Sequence, residues 1–158
     1  MKNIIRKKLL KKRKKKYLEI SSNHISDIFE LIKNKHKDSK LIGGYIPIKY
    51  EYDCLSILKF LEKKNYTIGL PIIKNNFTMD FYKYSFKDPL KLNKLGIPEP
   101  VNSSKKIVPD LIFVPLVGYD NHLNRLGYGG GFYDRYFEKN LRLKKIYKIG
   151  LAFSFQKI

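Results

Sequence analysis

Tryptophan is absent from this 158-residue chain, cysteine occurs once, and Ala152 is the only alanine. With Cys54 alone, an intrachain disulfide and a cysteine-rich metal centre are both excluded, and a reducing compartment, the cytoplasm, is the expected location. His24, His36 and His122 lack the spacing of a metal-binding helix. No stretch approaches the ~20 apolar residues that a membrane-crossing helix needs, so no membrane partner is expected. The basic N-terminus lacks the apolar run of a signal peptide. Negative charge is scarce as well: 14 acidic residues face 33 basic ones, for a net charge of +19. Such an excess can mark a nucleic acid, a membrane or an anionic substrate. Here, however, only Arg6, Arg13, Arg125, Arg135 and Arg142 are arginine, and Ile and Asn are abundant. That bias reads as drift toward A- and T-rich codons, so the charge alone selects no function.

The length suits a single domain over residues 1–158 that buries roughly 70% of the surface its unfolded chain exposes. Residues 2–37 predict one or two helices. Ile5, Leu9, Leu10 and Arg13 recur at helical spacing, then Ile25, Ile28, Phe29 and Ile32 repeat it after a Ser21-Ser22-Asn23 break that could cap the second helix. Apolar runs at 41–48, 68–73 and 111–114 predict buried strands. Residues 78–84 predict a third strand before the last of these, and 147–153 a final one. Helices are expected at 53–63 and about 132–140, and the Pro- and Gly-punctuated stretch 87–108 is expected to be a long surface loop. The alternation implies an α/β fold: one layered domain with a largely parallel sheet flanked by helices. Ligands of such sheets gather beyond the carboxyl ends of the strands, which is where the segment after Val114 falls.

That segment, Val114 to Tyr136, reads VPLVGYDNHLNRLGYGGGFYDRY. Gly127, Gly129, Gly130 and Gly131 let the backbone turn sharply and bring N–H groups close to a ligand. The helix that follows adds free N–H groups and a positive dipole end. Arg125 brings a planar fork suited to phosphate oxygens, and Asp134 stands in the first helical turn, where a carboxylate can hold Mg2+ beside phosphates. A plain strand-to-helix turn remains an equal alternative, since the string matches neither a dinucleotide fingerprint nor a P-loop. Asp134 can also simply complement the helix dipole. Phe132, Tyr133, Tyr136 and Phe137 suit a core at helical spacing, with one free to flank a flat heterocycle. The residues alone reach as far as an anion site.

The whole string resembles the signature of the 5-formyltetrahydrofolate cyclo-ligase (methenyltetrahydrofolate synthetase) family. Three shorter matches follow the same order: Lys2 with Arg6, Tyr45-Ile46-Pro47 with Glu51 and Asp53, and Gly96-Ile97-Pro98-Glu99-Pro100. Gly150-Leu151-Ala152-Phe153 with Gln156 continues the likeness, which spans nearly the whole chain. The resemblance implies ATP- and Mg2+-dependent closure of 5-formyltetrahydrofolate to 5,10-methenyltetrahydrofolate, with ADP and phosphate released. Transfer of the γ-phosphoryl group to the formyl oxygen turns a poor leaving group into a good one, and N10 then attacks. Positioning and charge stabilisation, not a protein nucleophile, carry such a reaction.

On that likeness Arg125 and Asp134 are the catalytic candidates, with Asp134 also the metal ligand. Lys2, Arg6, Arg125, Leu126, Gly127, Tyr128, Gly129, Gly130, Gly131, Phe132 and Tyr133 would meet ATP. Ile46, Glu51, Tyr128, Gly129, Gly130, Gly131 and Phe132 would meet the folate, polyglutamylated or not, with Glu51 accepting two N–H donors of the pterin. A monomer without a nucleic-acid partner is expected. The family pattern continues past Gln156 with an acidic segment that assists Mg2+, whereas this sequence ends at Ile158, and the turn 128–131 lacks a lysine that some relatives carry. Three other readings are a folate-binding relative with impaired catalysis, a basic RNA-binding module built on the first helix, and a phosphosugar isomerase-like protein of similar layers.

Overall fold

Four parallel strands run side by side through the centre of the molecule, and their carboxyl ends open toward one face. The computed structural model describes residues 1–17, 22–101 and 105–158. In chain order the elements are α1 (Lys2–Lys16), α2 (Ser22–Lys35), β1 (Leu41–Gly43), α3 (Cys54–Lys63), β2 (Thr67–Ile73), β3 (Met79–Tyr84), β4 (Leu90–Leu92), β5 (Pro98–Pro100), β6 (Lys106–Ile107), β7 (Leu111–Pro115), β8 (Gly118–Tyr119), β9 (Arg125–Leu126), α4 (Phe132–Asn140) and β10 (Tyr147–Leu151). The main sheet has the order β10-β7-β1-β2-β3-β6. β10, β7, β1 and β2 pair in parallel, while β3 and β6 add an antiparallel edge. The expected layered α/β domain is therefore present.

Burial explains the strand sequences. β7 is apolar along its whole length because helices cover both faces, as parallel sheets require. One core holds Ile32, Ile57, Leu58 and Leu61 of α2 and α3 against Ile42, Ile68, Leu70, Leu111 and Phe113. A second packs Tyr136 and Phe137 of α4 on Met79, Phe81, Ile112 and Val114. α3 begins where the Asp53 side chain accepts N–H bonds from Leu55 (2.9 Å) and Ser56 (3.3 Å), so this acidic residue is a helix cap. Asp110 ties β1 to β7: its Oδ2 accepts the N–H groups of Lys40 and Leu41, each at 2.8 Å, and its Oδ1 meets Lys144 Nζ at 2.6 Å.

Three local expectations are corrected. The strand expected at 41–48 stops at Gly43, and the chain then leaves the sheet; Pro47 has no N–H for a ladder. The last strand ends at Leu151 rather than Phe153, giving way to a 3-10 turn at Ser154–Gln156. The stretch 87–108 is no plain surface loop. β4 and β5 form a hairpin there, with Glu99 buried and bonded to Ile73 N (3.2 Å) and Asn93 Nδ2 (3.2 Å), and β6 joins the main sheet. The cap expected at Ser21 and the Ser103-Ser104 pair lie outside the described residues.

Candidate functional site

Beyond the carboxyl ends of β1, β2 and β7 lies a cleft of about 970 Å³. Lys2, Arg6, Ile46, Glu51, Arg125, Leu126, Gly127, Tyr128, Gly129, Gly130, Gly131, Phe132, Tyr133 and Asp134 all line it. The structure thus brings together in one cavity every residue named from the sequence as a catalytic, nucleotide, folate or metal candidate, from positions 2 to 134.

The first wall is the glycine turn between β9 and α4. Gly129 (φ +103°) and Gly131 (φ +70°) adopt backbone conformations that side chains resist, and Gly131 is the N-cap of α4. A Cβ on Gly131 would fall 2.5 Å from Arg135 Nη1. Arg135 braces the turn by donating to Gly130 O (2.5 Å) and to Phe77 O (2.6 Å) across the cleft rim. Arg6 reaches in from α1 and donates through Nε to Gly127 O at 2.8 Å. Arg125 donates Nη1 to Pro115 O (3.1 Å) and Nη2 to Asp134 Oδ1 (2.8 Å). The Asp134 side chain is 76% exposed, so water screens this pair. Leu126 differs from its neighbours: its side chain is buried with Leu9 and Val117 beneath α1.

The second wall is the turn after β1. Lys49 (φ +49°) and Tyr50 (φ +62°) both take left-handed conformations, which swing Glu51 inward. Glu51 is buried, and its Oε2 accepts the Ile48 N–H at 2.8 Å. Burial raises the Glu51 pKa above the ordinary carboxylate value; hydrogen bonds from Ile48 and Tyr128 and the charges of Arg13 and Lys49 pull the other way. Burial also raises the Tyr128 hydroxyl, helped by the Glu51 charge and opposed by Arg13, so it keeps its proton at neutral pH.

Sequence reasoning missed two contributions. Asn93 and Leu95 of the β4–β5 hairpin line the cleft beside Ile97 and Pro98, which the sequence had matched as a motif but given no place in the site because that stretch read as a surface loop. Arg13 is the other. It lies on the apolar face of α1 at 1% exposure, and an arginine at an apolar position of a lysine-rich helix was the available signal.

A metal fit is possible but sparse. Among the described residues no group of three His, Cys, Asp or Glu side chains gathers. Asp134 and Glu51 are the carboxylates on the cleft lining, and only Asp134 is open to water. Mg2+ needs as few as one or two carboxylates when substrate phosphates and waters complete its shell, so the donor set fits a nucleotide-held ion.

Comparison with known proteins converges. The model of the 5-formyltetrahydrofolate cyclo-ligase family matches residues 1–158. The chain is 33% identical over 131 residues to the 5-formyltetrahydrofolate cyclo-ligase of Haemophilus influenzae, covering 78% of this chain and 69% of that one. It is 32% identical over 162 residues to the enzyme of that name from Mycoplasma genitalium, covering 98% and 86%. The solved 5,10-methenyltetrahydrofolate synthetase of Aquifex aeolicus superposes with a TM-score of 0.73 at 33% identity, covering 99% of this chain and 79% of that one.

Proposed function

This chain belongs to the 5-formyltetrahydrofolate cyclo-ligase family, and from that premise we propose that it uses ATP with Mg2+ to close 5-formyltetrahydrofolate to 5,10-methenyltetrahydrofolate, releasing ADP and phosphate. The observation that carries the reading is the division of one cleft into an anion-binding wall and a carboxylate wall. ATP phosphates would lie on the glycine turn, against its free N–H groups and the N-terminus of α4. Arg125 and Lys2 add positive charge there, and Arg6 holds the turn open through Gly127 O.

The Arg125–Asp134 pair suits this exchange. A phosphate arriving at Arg125 replaces one carboxylate oxygen with another anionic oxygen, which frees Asp134 to hold the magnesium ion. The ion, when bound, neutralises phosphate charge as the γ-phosphoryl group leaves. On the other wall Glu51 would accept two N–H donors of the pterin, with Ile46 packed alongside. Folate and nucleotide then meet over Tyr128 and the 129–132 turn, so the formyl oxygen faces the phosphates. The enzyme's contribution is alignment and charge stabilisation in a cavity shielded by Phe132 and Tyr133. A monomer working in a reducing cytoplasm completes the proposal; its lone cysteine is buried in the core.

The test is direct. Purified protein with 5-formyltetrahydrofolate, Mg2+ and ATP should generate the near-ultraviolet absorbance of the methenyl product, and Arg125→Ala should not. Folate binding without product would favour the catalytically impaired relative, and absence of both would reject the proposal.

A further inference from the structure

Arg13 is a fully buried guanidinium with no carboxylate in direct contact among the described residues. A buried charge must be paired or fully hydrogen-bonded to be tolerated. Each nitrogen of its fork has a partner. Nε donates to Lys49 O at 2.9 Å, Nη1 to Leu116 O at 3.1 Å, and Nη2 to the Tyr128 hydroxyl. The guanidinium carbon also lies 5.5 Å from the Tyr128 ring centre.

Two of those partners lead to Glu51. Lys49 is the first left-handed residue of the turn that carries Glu51, so its carbonyl fixes where the turn points. A guanidinium can only donate; the Tyr128 oxygen therefore accepts from Arg13, which leaves its single proton for an acceptor such as the Glu51 carboxylate on the same cleft lining. The Ile48 N–H is likewise a donor only. Both contacts ask Glu51 to be an acceptor, which is what a ring bearing N–H donors requires. The counter-charge of Arg13 is thus Glu51, reached through one hydroxyl.

Resting on the cyclo-ligase reading, we propose that Arg13 is the positioning residue of the folate wall: it fixes the turn that bears Glu51 and, through the Tyr128 hydroxyl, holds the Glu51 carboxylate as a proton acceptor at the cleft. The groups that face this carboxylate are Arg13 of α1, Lys49 and Tyr45 of the turn after β1, Cys54 of α3, Tyr128 of the glycine turn and Tyr133 of α4. Lys49 sits beside Arg13 as the second cation, but it is carried by the turn itself and has no hydrogen bond that orients Glu51. Folate should bind through ionised Glu51, so affinity should climb as pH rises through the Glu51 titration.

The experiment follows the Glu51 carboxyl by 13C NMR titration, its resonance identified by its loss in Glu51→Gln, and measures 5-formyltetrahydrofolate binding across the same pH range without ATP. In Tyr128→Phe the titration should move to higher pH. The binding profile should move with it, leaving affinity about tenfold weaker at the acid end of the range. Arg13→Lys, which keeps the charge but whose compact ammonium cannot span the three acceptors met by the separate nitrogens of the guanidinium, should move both curves in the same direction. Should Arg13→Lys fail to fold, Tyr128→Phe decides alone, because it leaves the two carbonyl contacts of Arg13 intact. Unmoved curves in the folded variants would overturn the proposal and leave Arg13 a packing residue. A moved titration in a protein that binds no folate would uphold the relay and reject the cyclo-ligase reading.

Discussion

On the wall built from Arg6, Arg125, Asp134 and the glycine turn, charge sits near water and is paired loosely. On the wall built from Arg13, Tyr128 and Glu51, charge is buried and the guanidinium is bonded through all three of its nitrogens. Both line one cleft, and on the proposed reading they would meet different ligands. A triphosphate brings several equivalent oxygens and its own metal, so an open, cationic surface accepts it in many arrangements. A pterin edge offers two fixed N–H donors, and only a carboxylate held at one angle meets both. Exposure on one side and burial on the other are what that difference in ligand geometry would ask for.

Breaking each wall in turn tests the contrast. Arg125→Ala should lower turnover about 100- to 1,000-fold, the usual cost of removing one pre-placed charged donor, with folate affinity little changed; steady-state kinetics and folate titration together check the split. Glu51→Gln should do the reverse, weakening folate about tenfold while ATP affinity, followed by a nucleotide fluorescence assay, holds. A loss of ATP binding in that variant would show that the walls are not separate.

A change outside both walls sharpens the comparison. Asp110→Asn removes the negative charge and one of the two acceptor oxygens that tie β1 to β7 and hold Lys144, and should cost about 2 kcal/mol in urea unfolding at neutral pH while leaving folate affinity per folded molecule unchanged. Burial raises the Asp110 and Asp80 carboxyls, but hydrogen bonds from Lys144, Leu41 and Lys40 to the first, and from Lys106 and Lys139 to the second, outweigh it and hold both below the ordinary value. Their contribution is therefore present above the ordinary carboxylate range and lost as pH falls through the depressed values. The Asp110→Asn protein should show a shallower acid limb in stability against pH. Smallest of all, Lys8→Gln or Lys11→Gln on α1 should move stability by no more than about 0.5 kcal/mol by the same unfolding assay.

The glycine turn was legible because its chemistry is contiguous: Arg125 to Asp134 lie in one string, and strand, turn and helix follow from it. The folate wall was only half legible. Glu51 came from resemblance, since nothing local marks a carboxylate between two tyrosines as buried. Arg13 was placed on the correct helical face but had no visible partner, because Lys49, Leu116 and Tyr128 are 36, 103 and 115 residues away. The β4–β5 hairpin was hidden by Pro98 and Pro100, which argue against a strand in a central sheet but are tolerated in a two-stranded edge ribbon. Past β1 the apolar run continued because Tyr45 joins the core beneath α2 and α3 and Ile46 packs against it, although neither pairs in the sheet.

The bond from Arg6 to Gly127 joins positions 121 residues apart. On a ribosome, α1 leaves the exit tunnel with ten cations, no acidic residue and neither Gly127 nor Leu116 yet made. At about 5–20 residues per second, roughly 6–24 s pass before the glycine turn follows it. Throughout that interval the helix has no site to complete. The cleft is therefore completed only after the glycine turn has emerged, and until then the cations of α1 lack the partners that later bury Arg13 and hold Arg6.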